Sequence, residues 1–235
     1  MSLTYTQILG LIDENVGTPA TYTTAKKTVD VNSALDYLVG CIFENCSKWQ
    51  YDDSAHADYP ILTTDLVSGQ ADYAFTTDNS GNIILDIHRV MIKTPSGEYV
   101  DLEPISLTDK GNSSPTAVNG LGATGTPTGY AKMGNGIHLN VPSNYASVGG
   151  LKIYVNREAT HFTTADTTKK AGIVGTYHEY LAFRPSYMYA MRKGLKNKND
   201  LYNEMMKFES KILNYYGLRA RDQKNGMRAK QESTR

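Results

Sequence analysis

Apolar positions along this chain change period twice, from helical spacing to alternation and back again. Residues 4–16 place Ile8, Leu9, Ile12 and Val16 on one stripe and end at Gly17 and Pro19, which predicts a short amphipathic helix. Thr23 or Thr24 can cap a second helix. Its stripe of Val31, Leu35, Leu38, Ile42 and Cys46 follows the spacing of a face buried on one side. Trp49 and Tyr51 close that helix, and Asp52-Asp53-Ser54 leads out of it. From Ile61 the period is two. Ile83, Leu85 and Ile87 alternate on one parity and Val90 and Ile92 on the other, so a bulge is expected near His88-Arg89. Thr94-Pro95-Ser96-Gly97 predicts a turn into Tyr99–Leu102, and Gly134-Asn135-Gly136 predicts a hairpin between Tyr130–Met133 and Ile137–Val141. Leu151, Ile153 and Val155 make a last alternating strand. Short strands separated by turns favour an antiparallel sandwich or small barrel over βαβ units.

Helical signal returns at Tyr177, Leu181, Met188 and Met191, where Pro185 predicts a kink or two short helices. Asn199 or Asp200 can cap a final helix with the stripe Leu201, Met205, Phe208, Ile212 and Tyr215, and Gly217 supplies a stop. The fold class expected is therefore α+β. N- and C-terminal helices form a bundle (1–57 and 175–217), an antiparallel β module (58–174) is inserted between them, and an extended basic tail (218–235) follows. Within the β module, the loop 106–129 is rich in Gly, Ser, Thr, Asn and Pro. Loops of that length in compact domains are either mobile or used for contacts.

Charge refines this picture. The 235 residues carry no formal net charge, but residues 218–235 hold six basic groups (Arg219, Arg221, Lys224, Arg228, Lys230, Arg235) against Asp222 and Glu232. The tail is thus +4 and the body −4. A mildly acidic body is not a nucleic-acid-binding surface, whereas the tail suits an acidic partner groove or phosphates. No aromatic residue follows Tyr216, so stacking on single strands is not expected of the tail. Cys41 and Cys46 lie five positions apart, about 140° around a helix, and cannot pair within it; a reducing compartment is the natural reading. The chain begins without the basic and apolar regions of a signal peptide. No apolar run reaches the roughly 18 residues of a membrane span, so a soluble protein without a membrane partner is expected.

Candidate chemistry is sparse. Gly120-Leu121-Gly122-Ala123-Thr124-Gly125 matches GxGxxG in letters, but neither a strand before it nor a helix after it is predicted, so no dinucleotide site is expected. His56 lies among Asp52, Asp53 and Asp58 without a second His or Cys to complete a metal set. His88 and His138 fall inside strands, and His161 and His178 have no nucleophile motif near them. His178-Glu179 lacks the second histidine of a zinc-protease helix. The expectation is a protein with no catalytic residues, no metal and no cofactor. The 17 tyrosines suit either an interface or strands.

The order of these features resembles the head-to-tail adaptor (connector) proteins of tailed bacteriophages. The matching pieces are Lys48-Trp49-Gln50-Tyr51-Asp52-Asp53 after the helix pair, Tyr59-Pro60-Ile61-Leu62-Thr63-Thr64-Asp65-Leu66-Val67, and Gly69-Gln70-Ala71-Asp72-Tyr73. They continue with Ile84-Leu85-Asp86-Ile87-His88-Arg89-Val90, Gly97, Leu102-Glu103-Pro104-Ile105, and Gly125-Thr126-Pro127-Thr128-Gly129-Tyr130. Ile137-His138-Leu139-Asn140-Val141-Pro142, Gly150-Leu151-Lys152-Ile153-Tyr154-Val155-Asn156-Arg157-Glu158 and His178-Glu179-Tyr180-Leu181 complete the series across residues 5–216. Its collinear order, rather than any one piece, carries the resemblance. Phe183-Arg184-Pro185 departs from it, standing where small residues of a continuous helix are expected.

The resemblance implies a homo-oligomeric ring, often dodecameric, at the head–tail interface of the virion, assembled in the host cytoplasm. Such a ring joins the portal protein to tail nozzle or fibre proteins. Genomic DNA passes through its channel without sequence-specific contact and is retained until ejection. It further implies that the stretch from Leu218 to Arg235 reaches the portal, which would make the six basic residues a portal-binding tail. Asn112, Gly120 and Thr126 of the long loop are then candidates for contact with a neighbouring subunit or tail part. An acidic channel wall would let DNA slide where a basic one would grip it. Two competing readings are another tail structural module, such as a nozzle or fibre-attachment protein, and a metal-dependent hydrolase built on His56 and its aspartates.

Overall fold

The structure, a computed structural model, describes residues 2–46, 61–77, 81–106, 124–134 and 136–224. It is a mixed α+β protein that divides into two compact units. One comprises residues 1–57 and 159–235, and the other residues 58–158. The chain therefore leaves the helical unit, builds the strand unit from one contiguous stretch, and returns.

In the helical unit, α1 (Tyr5–Val16) starts on a capping box in which the Thr4 side chain accepts from Gln7 N–H and the Gln7 side chain answers the Thr4 N–H. It stops at Gly17, whose φ of 78° is left-handed and whose N–H bonds Asp13 O at 2.8 Å, a conformation that costs glycine nothing. The second helix, α2 (Thr24–Asn45), buries Val31, Leu35, Leu38, Ile42 and then Cys46, the stripe expected from spacing. Trp49 and Tyr51 lie outside the described residues.

A short 3-10 turn (Gly175–Tyr177) precedes α3 (Tyr180–Lys193). Pro185 sits inside α3 without splitting it, so of the expected kink or two short helices the second does not occur. A proline in a helix interior costs about 3 kcal/mol. Here Leu181, Ala182, Pro185, Ser186, Tyr189 and Ala190 are all buried, and that packing outweighs the lost backbone bond. Met188 and Met191, part of the expected stripe, are instead exposed.

The last helix, α4 (Lys198–Lys224), begins just before the expected caps Asn199 and Asp200. The Asn197 side chain ahead of it is engaged elsewhere, donating to Asn15 O at 2.9 Å. Leu201, Met205, Ile212 and Tyr216 face the core and Phe208 packs against it, while Tyr215, placed on the stripe by spacing, is more than a third exposed. Gly217 does not end the helix. It lacks the left-handed φ a terminating glycine would show, and α4 continues through it.

Residues 159–174, grouped with the strands in the sequence reading, belong to the helical unit. Ala159, Phe162, Ala171 and Ile173 are buried in its core, and the Phe162 ring stacks on Tyr5 at 4.7 Å. Backbone bonds from Tyr5 N to Lys169 O (2.8 Å) and from Thr6 N to Thr167 O (3.3 Å) tie this stretch to α1.

The strand unit has two four-stranded sheets. The first has the order β1 (Ile61–Leu66), β8 (Ser147–Arg157), β3 (Ile84–Lys93), β4 (Tyr99–Asp101), every neighbour antiparallel. The second runs β2 (Asp72–Ala74), β7 (Gly136–Leu139), β6 (Gly129–Met133), β5 (Glu103–Pro104), with a parallel pair only at β5–β6. Leu62, Val90, Ile92, Leu151, Ile153 and Val155 from the first sheet share one core with Tyr73, Tyr130, Ile137 and Leu139 from the second. The bulge expected near His88 is present as a register shift between Ile87 and Arg89. A second shift between Ile84 and Asp86 explains why Ile83 and Leu85 face solvent while Ile87 is buried. Both predicted turns are present. Gly97 N–H bonds Thr94 O at 2.9 Å in the first, and β6 pairs with β7 across the second. The GxGxxG letters end in strand surroundings: Gly125 bridges Ser143 and is followed by β6, not by a helix N-terminus.

Candidate functional site

The sequence directs attention first to the basic C-terminal stretch. Its first part is helical, since the backbone of α4 carries positions 219, 221 and 224 in continuity with the helix that packs in the core. Tyr216, 1% exposed, anchors the helix just before that part, and its hydroxyl accepts from Val174 N–H at 3.3 Å. Leu218 is about half exposed. Arg219, Arg221 and Lys224 thus lie on the backbone of α4 beyond Tyr216. Arg228, Lys230 and Arg235 lie outside the described residues, as do Asn112 and Gly120 of the long loop. Thr126 is exposed, held between the Gly125–Ser143 bridge and buried Pro127. Asn140 Oδ1 accepts from the Thr128 and Gly129 N–H groups at 3.1 and 3.2 Å and fixes the loop's exit into β6.

The four described histidines lie in the packed elements or beside them. His178, 1% exposed, sets Nδ1 at 2.9 Å from Leu3 O and Nε2 at 3.0 Å from Ile173 O, so that it fastens the start of the chain to the stretch before α3. Gly175 lies against Ser2 closely enough that a Cβ there would meet the Ser2 Cβ at 2.7 Å. His138 on β7 is buried against Asp72 of β2 at 2.5 Å, a cross-strand pair at matching register. His161 meets Asp36 at 2.8 Å on the surface of the helical unit. His88 lies 3.8 Å from Asp86, and its buried Nε2 has no hydrogen-bond partner among the described residues. His56 and its aspartates are outside the described residues. Among the described residues no group of three or more His, Cys, Asp or Glu side chains could hold a metal ion. Both cysteines are free thiols. Burial pushes the Cys41 thiol up, and the nearby Glu209 and Glu44 carboxylates push the same way, which disfavours a reactive thiolate.

One polar cluster had not been singled out in the sequence. The Arg184 guanidinium lies over the Tyr37 ring at 3.6 Å, while Tyr37 and Tyr180 both donate to Glu209, at 3.2 and 3.0 Å. Burial drives the Tyr180 phenol far above its usual range, so it stays a donor. The cluster ties α2, α3 and α4 together and gives a structural reason for an arginine in Phe183-Arg184-Pro185. The four-residue step from Tyr180 to Arg184 was its only sequence signal. No nucleophile–base pair is assembled in it. Among the described residues no helix is long and apolar enough to cross a membrane.

No family model matches the chain, and no curated protein matches it.

Proposed function

We propose that the protein is a structural subunit of a tailed-bacteriophage head-to-tail adaptor ring, placed between the portal and the tail and extending the DNA channel. The observation that carries this reading is the insertion of a complete strand unit into one helical unit made from both ends of the chain, whose last helix continues beyond the buried Tyr216 to Lys224. In this reading the helices form a bundle that builds the ring wall. The strand unit is a sandwich or small barrel inserted in the chain between the two helical halves, and the stretch from Leu218 with its basic residues docks on the portal. Thr126 and its neighbours in the long loop meet an adjacent subunit or tail protein. The acidic body repels phosphates and lets DNA pass. Copies in a closed ring, twelve by the resemblance, use two different faces each.

Quantitative mass spectrometry of purified particles tests the reading. A copy number equal to that of the portal protein is expected. Absence from particles overturns it, and a copy number far from the portal's replaces it with another tail structural module. Deletion of residues 219–235 should leave the fold intact, because the truncated chain retains the buried Leu201, Met205, Ile212 and Tyr216 of α4. It should also abolish portal docking, and normal assembly by the truncated chain would argue against the tail's role.

A further inference from the structure

The helical unit has a surface groove of about 560 Å³ between the start of α2 and the end of α3. Its floor is the stacked pair Tyr22 and Tyr189, rings 4.2 Å apart. Ala25 and Val29 add open apolar surface, and Val29 is 67% exposed. The one acid in the lining, Asp30, is already engaged. It accepts from the Tyr22 hydroxyl at 2.7 Å and from Arg192 at 2.5 Å. Lys26 and Lys193, both exposed, therefore leave the rim with two uncompensated positive charges. Volume of this size suits a few side chains. An apolar floor under a cationic rim calls for an occupant that pairs aromatic or aliphatic side chains with carboxylates.

Three longer stretches of this chain lie outside the described residues, and their charges discriminate between them. Residues 225–235 carry three basic groups and one acid, so the rim repels them; residues 107–123 carry one of each. Residues 47–60 combine Trp49, Tyr51 and Tyr59 with Asp52, Asp53 and Asp58 against a single lysine. We infer that this groove receives the Trp49–Asp53 portion of a second copy of the chain.

Chain length decides for a second copy over the same one. Along α2, Lys26 and Cys46 are about 30 Å apart at 1.5 Å per residue. Even the nearest lining residue of the groove on α2, Asp30, is about 24 Å from Cys46 along the helix, and Trp49 can lie at most about 10 Å beyond Cys46, so the Trp49 ring cannot reach its own groove. A groove on one copy and a segment on the next make a head-to-tail contact, which closes into a ring or runs on as a filament. The inference needs only that copies meet, and it stands or falls separately from the adaptor reading.

Sedimentation velocity on the full chain tests it with two charge reversals. Lys26 and Lys193 are exposed and Lys26 holds only the exposed Thr21 O, at 3.0 Å, so Lys26→Glu with Lys193→Glu should spare the fold; Asp52→Lys with Asp53→Lys changes the other partner. Each double variant alone should associate about tenfold or more weakly than the wild type. An equimolar mixture should recover association, because reversed groove and reversed segment then attract each other in alternating order. A wild-type chain that remains monomeric overturns the inference, as does either variant associating like the wild type or a mixture that stays dissociated. Copy number in particles is measured independently, so failure here leaves that result untouched.

Discussion

The two units solve the same problem with different materials. The strand unit is built from one contiguous stretch, and its core is largely aliphatic, with Val90, Ile92, Leu151, Ile153 and Val155 alternating inward along β3 and β8. The helical unit must bring residues 1–57 back against 159–235, and its core is rich in tyrosine. Tyr5, Tyr22, Tyr180, Tyr189 and Tyr216 are all buried there, whereas Tyr73 and Tyr130 are the buried tyrosines of the strands. The tyrosine excess, read from sequence as interface or strand, is thus substantially a property of the helical core. Buried phenols need partners. Tyr5 meets Thr28, Tyr22 meets Asp30, and Tyr180 meets Glu209, each on a different segment or turn. Directional bonds of this kind hold two distant stretches in one register, a task that a contiguous strand module gives to its backbone ladders.

The largest effects should come from emptying either core. Leu38→Ala and Ile153→Ala each remove a fully buried side chain and should cost about 2–5 kcal/mol. Hydrogen exchange read by mass spectrometry distinguishes the units. Ile153→Ala should expose amides of the strand unit and spare the helices, and joint loss of protection would show that the two unfold as one. Gly150→Ala should destabilise the strand unit by about 1–3 kcal/mol in denaturant melts, because its Cβ would press on Leu66 and lie 2.7 Å from Ser147 O.

Smaller changes probe the helical side. Tyr5→Phe removes the hydroxyl that donates to Thr28 Oγ1 at 2.5 Å, while Thr28 itself donates to Thr24 O; a loss of about 1 kcal/mol is expected in thermal unfolding. Gly217→Ala separates two pictures of α4 by sign. In a helix interior with nothing within 4 Å of a new Cβ, alanine should stabilise by about 0.5–1 kcal/mol, whereas at a terminating left-handed glycine it would destabilise. The smallest effect is electrostatic. Hydrogen bonds from Arg89, at 2.5 and 2.7 Å, hold the Asp101 carboxyl below its ordinary value of 3.8. A depressed carboxylate contributes stability that is fully present above its unfolded value and lost as pH falls through the folded one. The wild type should therefore lose a small increment below about pH 4 that Asp101→Asn lacks, small because the pair is half exposed.

Much of the fold was legible along the chain because local periodicity reports which face of an element is buried. The α1 and α2 stripes, the bulge near His88, both turns and the alternation of β8 are all local signals, and all are present. The candidate contact residues were legible only as charge and composition. Of them, Arg219, Arg221 and Lys224 lie on the backbone of α4 and Thr126 on an exposed loop end, while Arg228, Lys230, Arg235, Asn112 and Gly120 fall outside the described residues.

The kind of each element and its inward face follow from side-chain spacing over a few residues. Which of two locally permitted outcomes prevailed depends on contacts between residues far apart in the chain. Pro185 and Gly217 are helix breakers by propensity, yet Pro185 is held by the burial of its neighbours and Gly217 by a helix anchored on Ile212 and Tyr216. Residues 159–174 carry almost no periodic signal and join the helices because Phe162, Ala171 and Ile173 find their apolar partners there. Propensity differences of about 1–3 kcal/mol per residue are of the same size as the burial of one or two core side chains, so contacts distant in sequence settle them.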